Sequence, residues 1–393
     1  MFITDFISIR PSYESTQQET LEWLVEAHIA AENGDEEFRT KIQEDLAKYG
    51  CKPGRIEKRG HVISDYLHKN WDTMEIFRLN DHPSGADLGV RLKQFAFHAD
   101  RIFDQYYSKE LHPPDDLIHV SCTGYVSPSG AQKIVSKKGW GQQTTVTHAY
   151  HMGCYGAIAA LRIGKGFLAA DASKERTDVV HTEICSIHAN PSKHKPDQLV
   201  SQSLFADGFI KYSLLKKPVD KCIEVQLVRE ELIPDSTFGM TWNVGERNFE
   251  MTLAKEVPVL IARALPDYLD RLSGGNGKHL CKNALFAIHP GGPKILDHVQ
   301  KVLELSDKQM AYSYKILQKM GNMSSATIPH IWKEILDLEP NGTEIVSLAF
   351  GPGLTICGSI MEVHHAKMRT GAVETAKNSF FDALKTVCFK RGG

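Results

Sequence analysis

The sequence lacks an excess of either charge and lacks a long uninterrupted apolar run. It has 46 Lys and Arg residues against 48 Asp and Glu residues, a formal net charge of −2. A dedicated polyanion binder usually carries a basic excess, so we expect no nucleic-acid partner. The apolar stretch 345–361 is uncharged, but it is interrupted by Gly351, Pro352, Gly353 and Gly358. Because a membrane-spanning helix needs about 20 mostly apolar residues, we expect no membrane span.

The sequence also lacks a dense cysteine framework and a secretory leader. Its eight cysteines are scattered and form no CxxC pair, which indicates reduced thiols in a cytoplasmic protein. The N-terminal stretch MFITDFISIRP includes Asp5 and Arg10 and so does not have the apolar core of a signal peptide. With 42% hydrophobic and 24% charged residues, the composition is that of a globular chain and excludes the disordered and collagen-like classes.

Apolar spacing predicts helices in the first part of the chain and alternating elements in the rest. Helices are expected at 17–31, 36–48 and 87–107, and residues 1–110 are interpreted as helical. Beyond residue 114, strands are expected at 117–122, 144–148, 167–171, 179–188, 222–227, 285–288, 346–350 and 354–361. Helices are expected at 155–163, 294–305 and 307–320, with a further helix to residue 336 capped by Ser324 and Ser325. This alternation is typical of an α/β fold with a central sheet, and we expect two similar halves, 1–215 and 216–393.

Three polar residues stand where predicted strands meet helices: Cys154, His289 and Asn322. Loops at strand ends carry the functional groups of many α/β proteins, and a helix N-terminus stabilises an anion. A thiol in that position becomes a nucleophile at neutral pH, and a histidine can share its proton. An asparagine amide and a histidine can also donate hydrogen bonds to a developing oxyanion.

Each of these residues also has a structural interpretation. A free cysteine beside alanines is most often a small buried hydrophobe, His289 can satisfy a Pro-Gly-Gly turn, and Asn322 can cap a helix. The spacing His148-x-x-His151-x-x-Cys154 resembles a zinc motif. Its first part is β-branched, however, so the ligands do not share a helix face, and we predict no metal site. The loop GPGLTICG does not fit the GxGxxG pattern of a dinucleotide site.

Five stretches of the sequence match one known family in their order and separation. They are HMGCYGAIAALR around Cys154, LFADG around Phe205, AIHPGGPKILD around His289, GNMSSATI around Asn322 and AFGPGLT around Phe350. In these stretches the chain resembles the type III polyketide synthases, the chalcone and stilbene synthase group of the thiolase superfamily. The similarity extends over nearly the whole chain and is weakest in residues 1–110.

The resemblance implies a thiolase-like five-layered αβαβα fold with two pseudo-duplicated halves, and a homodimer. It implies that Cys154 accepts an acyl group from a starter thioester, while His289 and Asn322 hold the thioester carbonyl of malonyl-CoA as CO2 leaves. The enolate then attacks the acyl-cysteine in a decarboxylative Claisen condensation. No metal or redox cofactor is required, because the thioester carbonyl stabilises the carbanion. The implied substrate-binding residues are Phe205, Met251, Cys185, His188, Ser324, Phe350, Gly351 and Pro352.

Several positions depart from the plant enzymes of this family. Cys185 and His188 stand where plant chalcone synthases carry threonines, and Met251 stands where they have a second gatekeeper phenylalanine. Ser127 replaces a methionine that reaches across the dimer, and Ala349 replaces the first glycine of GFGPG. A flexible methionine fits an acyl chain better than a phenylpropanoid, so we expect an acyl starter and a pyrone or resorcinol product.

A basic cluster is the candidate site for coenzyme A. Its members, Lys52, Arg55, Lys58 and Arg59, are either a solvated face or a clamp for the phosphates of coenzyme A. The surrounding stretch CKPGRIEKRGH matches the CoA-binding stretch of the family poorly. An acyl carrier protein therefore remains an alternative carrier of the starter.

Two other functions share parts of this pattern. A single-step ketosynthase joining two acyl chains, or a β-ketoacyl synthase III-like initiator, would use the same Cys-His-Asn set. A catalytically silent thiolase-fold partner subunit would not need that set. For the thiol itself, burial raises the pKa, whereas the helix N-terminus and a protonated His289 lower it. We expect the lowering effects to prevail, so that Cys154 reacts with iodoacetamide at pH ~6–7.

Overall fold

The computed structural model describes residues 1–34 and 36–365. Its strands are β1 (Phe2–Ile9), β2 (Tyr13–Thr16), β3 (Lys58–His61), β4 (Asp116–Ser121), β5 (Thr145–Tyr150), β6 (Arg176–Glu183), β7 (Gly208–Leu215), β8 (Lys221–Leu232), β9 (Met240–Val244), β10 (Phe249–Leu253), β11 (Leu285–Ile288), β12 (Glu344–Gly351) and β13 (Thr355–His365). Its helices are α1 (Gln17–Ala31), α2 (Glu36–Tyr49), α3 (Leu88–Tyr107), α4 (Gly130–Lys137), α5 (Gly156–Ala170), α6 (Pro196–Leu204), α7 (Val257–Ser273), α8 (Gly277–Asn283), α9 (Pro293–Val302), α10 (Asp307–Met320) and α11 (Thr327–Leu338). The end of the predicted second half, 366–393, lies outside the described residues, as does Cys388.

Nine of these strands form one mixed sheet in the order β11-β12-β13-β8-β1-β7-β6-β4-β5. On one side of the centre, β4, β5 and β6 are parallel, and β7 runs antiparallel to both β6 and β1. On the other side, β11 and β12 are parallel, and β13 runs antiparallel to both β12 and β8. Apart from β5, which has no counterpart among the described strands of the second half, the two halves repeat one strand topology. They meet where β1 pairs with β8 at Ile3 and Ile223. The boundary between residues 215 and 216 stays a prediction.

Two apolar helices, α5 and α11, contribute to the same hydrophobic core beside the sheet. Gly156 at the start of α5 permits a close approach between segments. A Cβ there would lie 3.0 Å from Val120 Cγ1 and 3.2 Å from Ser325 Cβ. Because Cys154 directly precedes α5 and Asn322 precedes α11, this packing brings the two residues towards one another.

The interpretation of residues 1–110 as helical is wrong for three segments, which form β1, β2 and β3. β1 lies at the centre of the sheet, where Ile3 is fully buried and pairs with Leu214. The β-branched side chains of Ile3, Ile7 and Ile9 favour a strand. The pairing partners lie about 200 residues away in sequence, so local apolar spacing does not reveal this strand.

Residues 167–171 were expected to form a strand, and this prediction is also wrong. The segment belongs to the end of α5, which continues to Ala170. Ile163 and Phe167 lie four residues apart and both pack against the core. That spacing places them on one helix face, so the apolar residues continue the helix rather than begin a strand.

No helix in residues 1–34 and 36–365 is long and apolar enough to cross a bilayer. The cysteines within these ranges are all free thiols, six of them buried and Cys281 half-buried.

Candidate active site

Cys154 lies on a 3₁₀ turn, Gly153–Tyr155, which joins β5 to α5. Its side chain is buried, with 8% of its surface exposed. The turn packs tightly against the loop that follows β12, because a Cβ on Gly153 would lie 2.9 Å from Pro352 Cδ. Gly153 has φ 71°, a conformation that favours glycine. The carboxyl end of β5 in the first half therefore contacts the carboxyl end of β12 in the second half.

Asn322 is fixed through its backbone and through one end of its side chain. Its carbonyl accepts from the Ala206 N–H at 2.8 Å, and its N–H donates to the Leu204 carbonyl at 3.1 Å. Its Oδ1 accepts the Ser324 N–H at 2.8 Å. The buried Nδ2 has no hydrogen-bond partner among the described residues. The amide is therefore oriented with its N–H groups unused, as an oxyanion donor would need to be.

His289 follows β11 and sits at the carboxyl end of that strand. Its N–H donates to the Leu348 carbonyl of the parallel neighbour β12 at 2.8 Å. The side chain is 1% exposed, and neither ring nitrogen has a partner within the described part of the chain. Burial lowers the pKa of His289 to about 3, so the imidazole is neutral near neutral pH and presents one N–H donor and one acceptor.

Ser324 connects the segment of Asn322 to that of Cys154. Its Oγ lies 3.8 Å from Cys154 Sγ, and it directly follows the Asn322-Met323 pair. Ser324 and Ser325 were predicted to cap a helix, and this is wrong. They form a 3₁₀ turn, Ser324–Ala326, and α11 begins at Thr327 without a side-chain cap.

The predicted lowering of the Cys154 pKa is contradicted. Burial raises the pKa of Cys154 to about 12, and the hydrogen bond from Ser324 offsets only part of that rise. The negative charge of Glu183 raises this pKa further. His289 cannot supply a counter-charge, since burial keeps it neutral. The free site therefore holds a thiol and a neutral imidazole, and the thiol must give up its proton as the acyl group arrives.

A pocket opens beside Cys154. Six of the predicted substrate-binding residues line it, namely Cys185, His188, Phe205, Met251, Ser324 and Pro352. Phe350 and Gly351 do not line it. Phe350 is 3% exposed within the core, and a Cβ on Gly351 would lie 2.4 Å from Tyr155 Cδ1. His289 and Asn322 do not line it either, although Asn322 bridges to the lining residue Phe205.

The sequence interpretation missed several lining residues, among them Cys122, Trp242 and Phe249. Trp242 and Phe249 come from the β9–β10 hairpin, and Trp242 Nε1 donates to the Cys122 carbonyl at 2.6 Å. Alternation of apolar residues in 240–253 could have indicated the hairpin. No sequence signal places it over the end of β4.

His188 forms part of the pocket wall and has no free polar atom. Its Nε2 donates to the Thr123 carbonyl at 2.7 Å, and its Nδ1 accepts the Phe249 N–H at 3.1 Å. Its ring stacks on Phe249 with 4.4 Å between ring centroids. His188 can therefore shape the pocket through its ring but cannot hydrogen-bond to a substrate without breaking these contacts.

The four basic residues of the candidate CoA site differ in their surroundings. Arg59 is buried and donates to the Gln202 and Phe205 carbonyls at 2.9 and 2.7 Å. Its Nη1 therefore supports the Phe205 backbone, while its Nε and Nη2 are buried without a partner among the described residues. Arg55 pairs with Asp297 at 3.1 Å, and Lys58 pairs with Glu14 at 2.6 Å. Lys52 is exposed.

We predict that Phe205→Ala changes the starter tolerance while the fold is retained. Phe205 is only half-buried and lines the pocket, so removing its ring enlarges the pocket without emptying the core. Product profiles with starters of increasing length, together with a thermal melt, test this. An unfolded variant, or a folded one with the wild-type profile, would show that Phe205 is a packing residue.

Comparison with known proteins agrees with this geometry. The N-terminal domain of the chalcone and stilbene synthases matches residues 90–212, and their C-terminal domain matches residues 224–364. The chain belongs to the chalcone and stilbene synthase family. It is thus a type III polyketide synthase, an acyltransferase that condenses malonyl-CoA with a starter thioester and releases CO2.

Relatives of this synthase come from distant organisms. Type III polyketide synthase C of Arabidopsis thaliana is 26% identical over 351 residues, which cover 85% of this chain and 91% of the relative. The crystal structure of PKS-I from the brown alga Ectocarpus siliculosus superposes with a TM-score of 0.78 at 20% identity, covering 92% of this chain and 98% of that one. The crystal structure of the C-terminal type III polyketide synthase domain of Steely1 from Dictyostelium superposes with a TM-score of 0.77 at 22% identity. It too covers 92% of this chain and 98% of that one. The thiolase-like fold is therefore confirmed.

Proposed function

We propose that this synthase loads an acyl starter on Cys154, extends it with malonyl units and releases a pyrone or resorcinol. The observation that carries the proposal is the pair of unused polar side chains, His289 after β11 and Asn322 between α10 and α11. Among the described residues, Asn322 has an unpaired amide nitrogen and His289 has two unpaired ring nitrogens, all of them buried, while the Cys154 thiol forms no disulfide and hydrogen-bonds only with the Ser324 hydroxyl. Buried polar atoms are normally paired, so the unpaired groups of His289 and Asn322 support a substrate as the missing partner.

Loading begins when the Cys154 sulfur attacks the starter thioester carbonyl. The thiol proton passes to the neutral imidazole of His289 as the carbon–sulfur bond forms. The proton then leaves with the CoA thiolate, so the acyl-cysteine is left beside a neutral His289. A neutral imidazole suits this step, because it can accept a proton and return it.

Condensation uses the same imidazole and the amide of Asn322. The N–H of each donates a hydrogen bond to the malonyl thioester oxygen, which becomes an enolate as the carboxylate leaves as CO2. The enolate carbon attacks the acyl carbonyl, a new carbon–carbon bond forms and Cys154 is released. Donors placed in a water-poor site act strongly on such developing charge.

The pocket lining supports an acyl chain as the starter. Apolar side chains dominate the walls, with Phe205, Met240, Trp242, Phe249 and Met251 among them. Methionine adapts its shape to flexible chains. We infer that no metal or redox cofactor takes part, because the malonyl thioester itself stabilises the carbanion, and activity should survive exhaustive treatment with a chelator.

The synthase is proposed to be a cytoplasmic homodimer. The free thiols within the described ranges fit a reducing compartment. The strand β5 lies at the edge of the sheet, and edge strands offer unpaired backbone groups to a partner. Light scattering should give twice the chain mass of 44.0 kDa. A mass of one chain at working concentration would contradict the dimer.

We predict that Lys52 contributes to binding of CoA thioesters. It lies beside Cys51, whose N–H donates to Ser203 Oγ at 2.9 Å. Ser203 belongs to α6, which leads into Phe205 at the pocket. Lys52→Ala should raise the KM for acyl-CoA up to about tenfold, an effect that shrinks at high salt.

The matched control for Lys52 is Lys58→Ala, since the ammonium of Lys58 is already paired with Glu14. That variant should leave the KM nearly unchanged. If Lys52→Ala changes nothing with acyl-CoA, and an acyl carrier protein is the better donor, free CoA is not the carrier.

Product mass after incubation with medium-chain acyl-CoA and malonyl-CoA tests the proposed function. A polyketide synthase gives the starter extended by two or more ketide units and cyclised. A single added unit, or two joined acyl chains, would instead assign a single-step ketosynthase. Recovery of only unextended starter from folded protein would indicate a catalytically silent partner subunit.

A further inference from the structure

The hydroxyl of Ser324 lies between two thiols of the pocket. Its Oγ is 2.8 Å from Cys122 Sγ and 3.8 Å from Cys154 Sγ. The backbone of Ser324 is left-handed, with φ 50°, which is costly for a residue with a Cβ. Its N–H is anchored on Asn322 Oδ1 at 2.8 Å. This anchored turn holds the hydroxyl within reach of both sulfur atoms.

A buried carboxylate, Glu183, lies on the far side of Cys122. Its Oε2 accepts the Cys122 N–H at 3.0 Å and the Thr123 hydroxyl at 2.9 Å, and it lies 3.6 Å from Cys122 Sγ. The proposed mechanism uses neither Glu183 nor Cys122. A continuous chain of hydrogen-bonding groups therefore runs from Glu183 through Cys122 and Ser324 to Cys154.

We propose that Ser324 is a further catalytic residue, which donates a hydrogen bond to the Cys154 sulfur. Cys122 and Glu183 are the positioning residues that set the direction of its hydroxyl. A serine hydroxyl has one hydrogen, so it can donate to only one of the two sulfurs at a time. When it donates to Cys154, it stabilises the thiolate that forms on loading and again each time condensation releases the sulfur.

The charge of Glu183 decides which sulfur receives that hydrogen. An ionised Glu183 accepts the S–H of Cys122, which leaves the Cys122 sulfur as an acceptor for the Ser324 hydroxyl. A protonated Glu183 is a weaker acceptor. The S–H of Cys122 then turns to Ser324 Oγ, and the hydrogen of Ser324 turns to Cys154.

Glu183 is the group in this cluster whose charge changes near neutral pH. Burial raises its pKa to about 7. Burial also raises the pKa of each nearby thiol and lowers that of His181 to about 3. The groups that face Glu183 or its partners are Ser121, Cys122, Thr123, Cys154, His181, Cys185, Ser324 and Ser325.

The test is the rate at which iodoacetamide alkylates Cys154 in the full chain. The rate is measured by peptide mass spectrometry at pH values below the midpoint of Cys154 ionisation. Ser324→Ala should raise the pKa of Cys154 by about one unit, since hydrogen bonds to charged groups have that strength. The rate should fall only about threefold, because a more basic thiolate is also more nucleophilic. Ser324→Gly should give the same fall. Glycine accepts the left-handed backbone, so agreement of the two variants excludes a backbone effect.

A double-mutant cycle separates positioning from simple loss of packing. Cys122→Ala should speed alkylation, because the hydroxyl of Ser324 then serves Cys154 alone. In the Ser324→Ala background the same change should have no effect. Cys222→Ala, outside the pocket, is the control for removal of a thiol. Glu183→Gln should abolish any break in the pH–rate profile near pH 7.

Two results would overturn the proposal. One is an unchanged alkylation rate in both Ser324 variants. The other is an equal effect of Cys122→Ala with and without the Ser324 hydroxyl. The inference rests on Cys154 being the nucleophile, and acyl loading in the same samples checks that separately. Absent loading with the expected alkylation pattern would reject the proposed function but retain the hydrogen-bond assignment.

Discussion

Replacing Asn322 by alanine should slow the release of CO2 from malonyl-CoA by about 10²–10³-fold. The Nδ2 of Asn322 is buried without a partner among the described residues, so its donor capacity is available to the malonyl thioester oxygen. Alanine removes that donor. Acylation of Cys154 by the starter should fall far less, because Asn322 acts on that step only through its anchor on the Ser324 N–H. Single-turnover loading and radiolabelled CO2 release, measured on the same preparation, separate the two steps.

Asn322→Asp is the matched control for the structural role of this side chain. The Oδ1 of Asn322 also anchors the Ser324 N–H, and alanine removes that anchor together with the donor. Ionised aspartate retains the acceptor, lacks the N–H groups and adds a negative charge, which also opposes the developing enolate. Both variants should therefore lose decarboxylation, and normal CO2 release in either one would contradict the role.

Acidification should destabilise the fold strongly. Burial lowers the pKa of several histidines to about 3, namely His28, His119, His181, His188 and His289. The unfolded chain protonates these groups below pH ~6.5, whereas the fold keeps them neutral. The contribution of these histidines to the free energy of unfolding is complete above pH ~6.5 and is lost as the pH falls towards 3. Each histidine can remove up to about 1.4 kcal/mol of stability per pH unit.

Two buried carboxyls act in the opposite direction. Burial raises the pKa of Glu183 to about 7 and that of Asp207 to about 6. The folded chain therefore binds protons at these carboxyls before the unfolded chain does. This stabilises the fold as the pH falls towards the pKa values of the same groups in the unfolded chain. The histidines outnumber them, so the free energy of unfolding should decrease from about pH 7 to about pH 5.

Urea unfolding at the two pH values measures this change. His119→Gln removes one of these histidines at a position outside the pocket lining. The free energy of unfolding should then decrease less between pH 7 and pH 5. A stability that is constant or higher at the lower pH would show that the histidines do not control the acid response.

Local sequence patterns predicted the helices and strands that are determined by residues within or beside the segment. The helix 307–320 was predicted at its observed bounds, and in the structure Ser306 caps its start and Gly321 ends it. Cys154, His289 and Asn322 were predicted from their places beside predicted strand ends and helix starts and from the family resemblance, and their roles stay predictions. The central strand β1 was missed, since only its distant partners β7 and β8 make it a strand.

The surroundings of the site residues could not be predicted in the same way. Nothing in the basic cluster distinguishes the buried Arg59, which binds two carbonyls, from the exposed Lys52. The charge state of Cys154 was predicted with the wrong sign, because sequence shows the helix start but not the depth of burial. Cys122 drew no attention beside strand β4, although it shares the Ser324 hydroxyl with Cys154.

The mass of the Cys154 peptide after reaction with acyl-CoA, before and after addition of malonyl-CoA, tests the central claim most directly. The claim is that Cys154 carries the growing chain. The peptide should gain the acyl group first and then ketide units, and Cys154→Ala should show neither. Acylation that persists in Cys154→Ala, or that maps only to another peptide of the wild-type protein, would contradict the account.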